Sequence, residues 1–156
     1  MKSELAKVLH PMLGRPLAWY PITRAFETGC QQVVSVIGHQ GDQVKASLAK
    51  AFEGQALSFA VQEQQRGTGH AVACARQALT GFTGAVLILY GDVPLLTAET
   101  LTKLVTAFRA GKGPLAMVTC RPPNPTGYGR IVRGAGNKVE GIVEHKDATE
   151  AQRQIG

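Results

Sequence analysis

Apolar and polar positions follow two periods along this chain, and they take turns. The stretch PLAWYPITRAFETG, 16–29, has apolar residues at 17, 18, 22, 25 and 26, which is close to helical spacing, and Gly29 supplies a stop. Pro21 inside it either kinks the helix or marks its first turn. QVVSVIG, 32–38, is a β-branched run closed by glycine and predicts a strand. DQVKASLAKAFEG, 42–54, is apolar at 44, 48, 51 and 52 and predicts a helix with Asp42 at its N-cap. ALSFAVQ, 56–62, reads as a strand, and the alanine-rich GHAVACARQAL, 69–79, as a helix. AVLILY, 85–90, is apolar on both faces, the pattern of a central parallel strand. TAETLTKLVTAFRAG, 97–111, predicts a helix capped by Thr97, with Thr100 three residues on and Gly111 as its stop. LAMVTC, 115–120, reads as a strand. After it the pattern changes: GRIVR and KVEGIVEH are short strands split by GAGN, a hairpin turn.

Strands alternating with helices predict an α/β domain with a mostly parallel sheet, and the late hairpin adds a small antiparallel piece. The length, 156 residues, fits one domain over 1–156. Internal repeats, linkers and low-complexity tracts are absent from the sequence.

The composition is that of a soluble globular protein, 44% hydrophobic and 18% charged. Its apolar runs are far too short for a bilayer, and no charged-then-apolar leader opens the chain, so no membrane and a cytoplasmic location are expected. The net charge of +6 is scattered and never forms a run of five cations, which argues against a nucleic-acid-binding tail. Such an excess can instead gather in a cleft for an anionic substrate. Cys30, Cys74 and Cys120 are odd in number and widely spaced. They fit no disulfide framework or C-x-x-C metal pattern and read as small buried or half-buried thiols in a reducing cytosol.

In open α/β sheets, ligands bind outside the carboxyl ends of the strands. LILYGDVPLL, 87–96, puts Tyr90, Gly91 and Asp92 at such an end. Asp92 there either binds Mg²⁺, which travels with one or two carboxylates and substrate phosphates, or serves as a turn residue or helix cap. In QEQQRGTGHA, 62–71, a strand ends at Gln62 and a glycine pair around Thr68 opens a helix. The Gln62 amide offers a donor and an acceptor, the complement of a pyrimidine edge, although a tight turn with a surface glutamine has the same sequence. His70 reads as a structural helix residue. Lys7 can neutralise phosphate as a point charge or lie on a solvated face. Gly129, in NPTGYGRI, lets a backbone approach a ligand closely or makes an ordinary turn. Glu144, in EHKDAT, can accept hydrogen bonds from sugar hydroxyls or simply end a strand. The chain contains no G-x-x-x-x-G-K-[ST] phosphate loop, no G-x-S-x-G and no H-E-x-x-H.

Taken in order, SELAKVLHPMLGRP, QEQQRGTGHA, LYGDVPLL, PTGYGRI and GIVEHKDAT are much more specific than any one of them. Together they resemble the uridyltransferase domain of the bacterial bifunctional N-acetylglucosamine-1-phosphate uridyltransferase/glucosamine-1-phosphate acetyltransferase family. The resemblance runs over essentially the whole chain. It implies a Rossmann-like nucleotide-diphospho-sugar transferase fold. It also implies transfer of UMP from UTP to N-acetylglucosamine 1-phosphate, giving UDP-N-acetylglucosamine and pyrophosphate for cell-wall and lipopolysaccharide precursors. By matching motif, Asp92 would ligate Mg²⁺ and Lys7 would meet the phosphates. Gln62, Gly67 and Thr68 would bind uridine, Tyr90 and Gly91 would line the nucleotide-sugar site, and Gly129 and Glu144 would hold the sugar. Trimer contacts would belong to the acetyltransferase half.

The chain departs from the family pattern in several places. It starts at what looks like the last residue of the L-A-A-G-x-G-T-R-M loop and stops at RQIG, before two asparagines that contact sugar and metal. Ala6 stands where the family usually has proline. The expectation is therefore a truncated chain whose first strand is missing and whose own activity is low. In a doubly wound sheet that strand lies centrally, so VVSVI and AVLILY would be left with facing edges unpaired or would pair directly. Each unpaired buried backbone group costs roughly 1–3 kcal/mol. Two alternatives stand beside the uridyltransferase: an inactive nucleotide-sugar-binding module, and transfer of another nucleotide or sugar.

Overall fold

The computed structural model describes residues 5–38, 40–111 and 113–155. It divides into two compact units, Met1–Ala116 and Met117–Gly156.

In the first unit, a two-residue hairpin, β1 (Pro11–Met12) and β2 (Arg15–Pro16), precedes helix α1 (Trp19–Glu27). The hairpin was not expected from the sequence. Its turn has positive φ at both Leu13 and Gly14, the hand that matches strand twist. Pro21 is the third residue of α1, where a helix has no use for the missing N–H, so it marks the first turn and makes no kink. Gly29 (φ 91°) ends the helix as predicted.

Strand β3 (Val33–Ile37) and strand β4 (Leu57–Val61) pair in parallel, Val33 opposite Leu57 through Ile37 opposite Val61. Between them runs α2 (Gly41–Ala51). Asp42 is inside its first turn, where an acid complements the helix dipole; the cap position belongs to Gln40 in a left-handed conformation, which corrects the expected cap. Ile22 of α1, Ile37 of β3, and Val44, Leu48 and Phe52 in and after α2 form the core with Ala18. The Phe52 ring lies 6.3 Å from Trp19 and 6.1 Å from Phe26. Such a contiguous aliphatic and aromatic contact set is the main driving force for the layer.

The remaining helices are α3 (Thr68–Cys74), followed by a 3-10 turn at Gln77–Leu79, and α4 (Ala98–Ala110). Thr97 caps α4 as expected, its hydroxyl accepting from the Thr100 amide at 3.1 Å.

Two expected strands do not form. Residues 85–90 and 115–120 belong to no ladder among the described residues. Val86, Ile88 and Tyr90 are 55–57% exposed while Leu87 and Leu89 are half-buried, so 85–90 keeps the alternation of a strand with one face open. An apolar run becomes a strand only where a neighbour pairs its backbone. Of the two outcomes expected for the strand edges, the structure shows the unpaired one: β3 pairs with β4 and 85–90 with neither.

In the second unit, β5 (Arg130–Arg133) and β6 (Val139–Val143) make the predicted hairpin, with a bulge between Val132 and Arg133. GAGN turns the chain with positive φ at Gly136 and Asn137. Helix α5 (Glu150–Arg153) starts at a capping box formed by Thr149 and Gln152, a T-x-x-Q signal passed over in the sequence.

Candidate functional site

The candidate residues fall into three clusters. Lys7 opens a 3-10 turn, Lys7–Leu9, pinned by the Leu9 amide on Ala6 O and by the Ala18 amide on Val8 O at 3.0 Å. Asp92 lies in a tight turn that the Val93 amide closes on Tyr90 O at 3.3 Å. Although 85 residues apart in sequence, Lys7 Nζ donates to Asp92 Oδ2 at 2.6 Å. Gly91, in the Asp92 turn, packs closely on the turn that follows Lys7. A Cβ on Gly91 would stand 3.3 Å from Val8 Cγ1 and 3.9 Å from Ala18 Cβ. On that side Gly91 yields space to the chain's own turn. Tyr90, in the same turn, is exposed.

The second cluster stands at the carboxyl end of the parallel pair. The Gln62 amide continues the ladder onto Ile37 O at 2.7 Å, so its side chain leaves where β4 ends. It lines an open hollow with Gly38, Val61, Glu63 and Gln65. Gln62 Nε2 reaches Gly67 O at 3.1 Å and His70 Nδ1 at 3.0 Å. Gly67 has φ 92° and ψ 177°, a conformation open in practice to glycine alone. Thr68 follows as the exposed first residue of α3. His70, passed over as a helix residue, is thus part of the cluster. No spacing rule in the sequence pointed to it.

The third cluster lies in the second unit. A Cβ on Gly129 would be 3.4 Å from Ile142 Cγ2 and 4.0 Å from Glu144 Oε2, so Gly129 and Glu144 are neighbours across the hairpin. Beside them Arg130 is 4% exposed and donates to Pro125 O at 2.9 Å, Tyr128 O at 2.6 Å and Arg153 O at 3.2 Å. This buried fork, not anticipated from the sequence, holds the loop that carries Gly129.

Among the described residues no three His, Cys, Asp or Glu side chains gather into a metal cage. Mg²⁺ does not need one, since it commonly takes one or two carboxylates and completes its shell with water and substrate phosphate. Asp92 could supply one such carboxylate, although Lys7 holds its Oδ2, so a metal there would take Oδ1 or displace the ammonium. No helix among the described residues is long and apolar enough to cross a membrane.

The first two clusters stand on loops of an α/β layer, where ligands of such folds bind. The sequence matches the MobA-like NTP transferase domain over residues 1–154, and the chain belongs to that family. It is 53% identical over 155 residues to the bifunctional protein GlmU of Anaeromyxobacter sp. (strain K), covering 99% of this chain and 32% of that protein. It is 47% identical to the GlmU of Geobacter sulfurreducens over 98% of this chain and 32% of that protein. With the GlmU of Sorangium cellulosum the identity is 50%, over 99% and 33%. The chain thus spans about a third of the length of these curated relatives.

Proposed function

We propose that this nucleotidyltransferase domain transfers UMP from UTP to N-acetylglucosamine 1-phosphate, in the cytoplasm and with Mg²⁺. The observation that carries the reading is the Lys7–Asp92 contact, which joins a phosphate-seeking cation to a metal-seeking carboxylate at one point. A phosphate oxygen of the sugar phosphate attacks the α-phosphorus of UTP. The bond from that phosphorus to the bridging oxygen breaks, and its electron pair leaves with pyrophosphate. Charge builds on phosphoryl oxygens, so electrostatic stabilisation and positioning are the main requirements. Lys7 places positive charge against the triphosphate. Asp92 would hold Mg²⁺, whose chemistry there is neutralisation of phosphate charge. Gln62, Gly67 and Thr68 bind the uridine, Tyr90 and Gly91 flank it, and Gly129 and Glu144 take the sugar hydroxyls.

The test is pyrophosphate release by the purified chain from UTP, Mg²⁺ and N-acetylglucosamine 1-phosphate, with UDP-N-acetylglucosamine identified by mass spectrometry. Product that disappears in Asp92→Ala supports the assignment; equal turnover in that variant refutes it. A second reading, a nucleotide-sugar-binding module without turnover, is favoured by the open face of 85–90 leading into the Asp92 turn. It predicts calorimetric binding of UDP-N-acetylglucosamine with no pyrophosphate released.

A further inference from the structure

The second cluster contains a side chain with no role in the reading above. His70 projects from α3 onto the Gln62 carboxamide, eight residues earlier in the chain. A carboxamide looks nearly alike in its two orientations, so the neighbours must decide which end is nitrogen. Here they do. The carbonyl of Gly67 can only accept, so the Gln62 atom 3.1 Å from it is Nε2. The second Nε2 hydrogen then points at His70 Nδ1, 3.0 Å away, which must offer its lone pair. The imidazole proton is thereby placed on Nε2, which lies 4.0 Å from Cys74 Sγ, a weak acceptor. With both amide hydrogens engaged inside the protein, Gln62, which lines the hollow with Gly38 and Gln65, has only Oε1, a pure acceptor, left for a ligand.

We infer that His70 is a positioning residue: it locks the Gln62 carboxamide with Oε1 outward, so that the site accepts a hydrogen bond from a ring N–H of the base. This rests on the assignment of Gln62 to the base. Uracil carries such a donor at N3, whereas cytosine has a lone pair there. Without His70 one Nε2 hydrogen is released, and only the Gly67 carbonyl still holds the amide. The freed hydrogen can then meet the N3 lone pair of cytosine, and the two bases become more alike to the site. His70 touches neither base nor phosphate in this scheme. Its effect is on the choice of base.

The experiment uses the full 156-residue chain, with UTP and CTP as probes in calorimetric titrations and ¹⁵N NMR of the imidazole. Wild type should show the Nε2–H tautomer of His70 and prefer UTP. His70→Leu should lose about tenfold of the UTP-over-CTP preference, the size of one hydrogen bond. His70→Asn, whose Oδ1 can take the place of Nδ1 as an acceptor, should restore most of it. Amide exchange over β3 and β4 gives the folding control. An Nδ1–H tautomer in the wild-type chain overturns the inference. So does an unchanged preference in a folded His70→Leu alongside a lost preference in Gln62→Ala. A wild type that binds both nucleotides alike, or neither, overturns the Gln62 assignment itself. If His70→Leu does not fold, the tautomer and the His70→Asn titration decide.

Discussion

Replacing Lys7 by methionine keeps the reach of the side chain and removes its charge. The pair it breaks is short, 2.6 Å, but open to water, with 64% of the Lys7 side chain and 34% of the Asp92 side chain exposed. Ion pairs in that setting contribute about 0.2–1 kcal/mol. The variant should therefore unfold in urea within about 1 kcal/mol of wild type, and added salt should narrow the gap further. Its effect on nucleotide binding should be much larger. A charge-assisted hydrogen bond to phosphate contributes about 1.5–3 kcal/mol, so UTP affinity should fall at least about tenfold by calorimetry. Asp92→Asn separates the two halves of the pair. It frees Lys7, so UTP should bind at least as well without metal, while the gain on adding Mg²⁺ should vanish. A Lys7→Met variant that binds UTP as wild type does would refute the phosphate role. Destabilisation beyond about 2 kcal/mol would show instead that the pair is chiefly a structural clasp.

Other perturbations probe the supports of the site. Gly67→Ala forces a side chain into a φ of 92° and should cost about 1–3 kcal/mol in urea unfolding, loosening Gln62 through the shared carbonyl. Arg130→Ala leaves three carbonyls without their donor and should cost about 1–3 kcal/mol. The loss should be read from faster amide exchange in β5 and β6, and Arg130→Lys should not restore it, since an ammonium cannot span a planar fork. Burial pushes the Cys30 thiol up from its ordinary range, so Cys30 holds its proton to higher pH. With iodoacetamide and mass spectrometry, exposed Cys120 should label first, and Cys30 labelling should need more alkaline solution.

The periodic signals carried most of the local structure. Thr97 with Gly111, the β-branched runs of β3 and β4, and the GAGN turn all stood in the sequence because each depends on neighbours a few residues away. Where the outcome depends on a distant partner, the pattern was not enough. AVLILY has the composition of a buried strand, yet it takes a second backbone to make a ladder, and among the described residues none pairs with it. Asp42 has the chemistry of a cap, but the turn from β3 into α2 puts Gln40 at that place. The β1–β2 hairpin carries no composition signal because its turn uses Leu13 at positive φ, a conformation leucine rarely adopts.

The candidate site divides along the same line. Asp92 and Gln62 could be singled out because strand ends in α/β sheets are where ligands go. What each side chain can offer a ligand depends on contacts that sequence does not show. Gly91 was expected to line the ligand, and the atoms nearest an added Cβ there are those of Val8 and Ala18. For Gln62, the residue type offered both a donor and an acceptor, and the carbonyl of Gly67 removes that ambiguity by being unable to donate. On the proposed reading, the acceptor that Gln62 shows to a base is set by two groups that meet no ligand, the Gly67 carbonyl and His70 Nδ1.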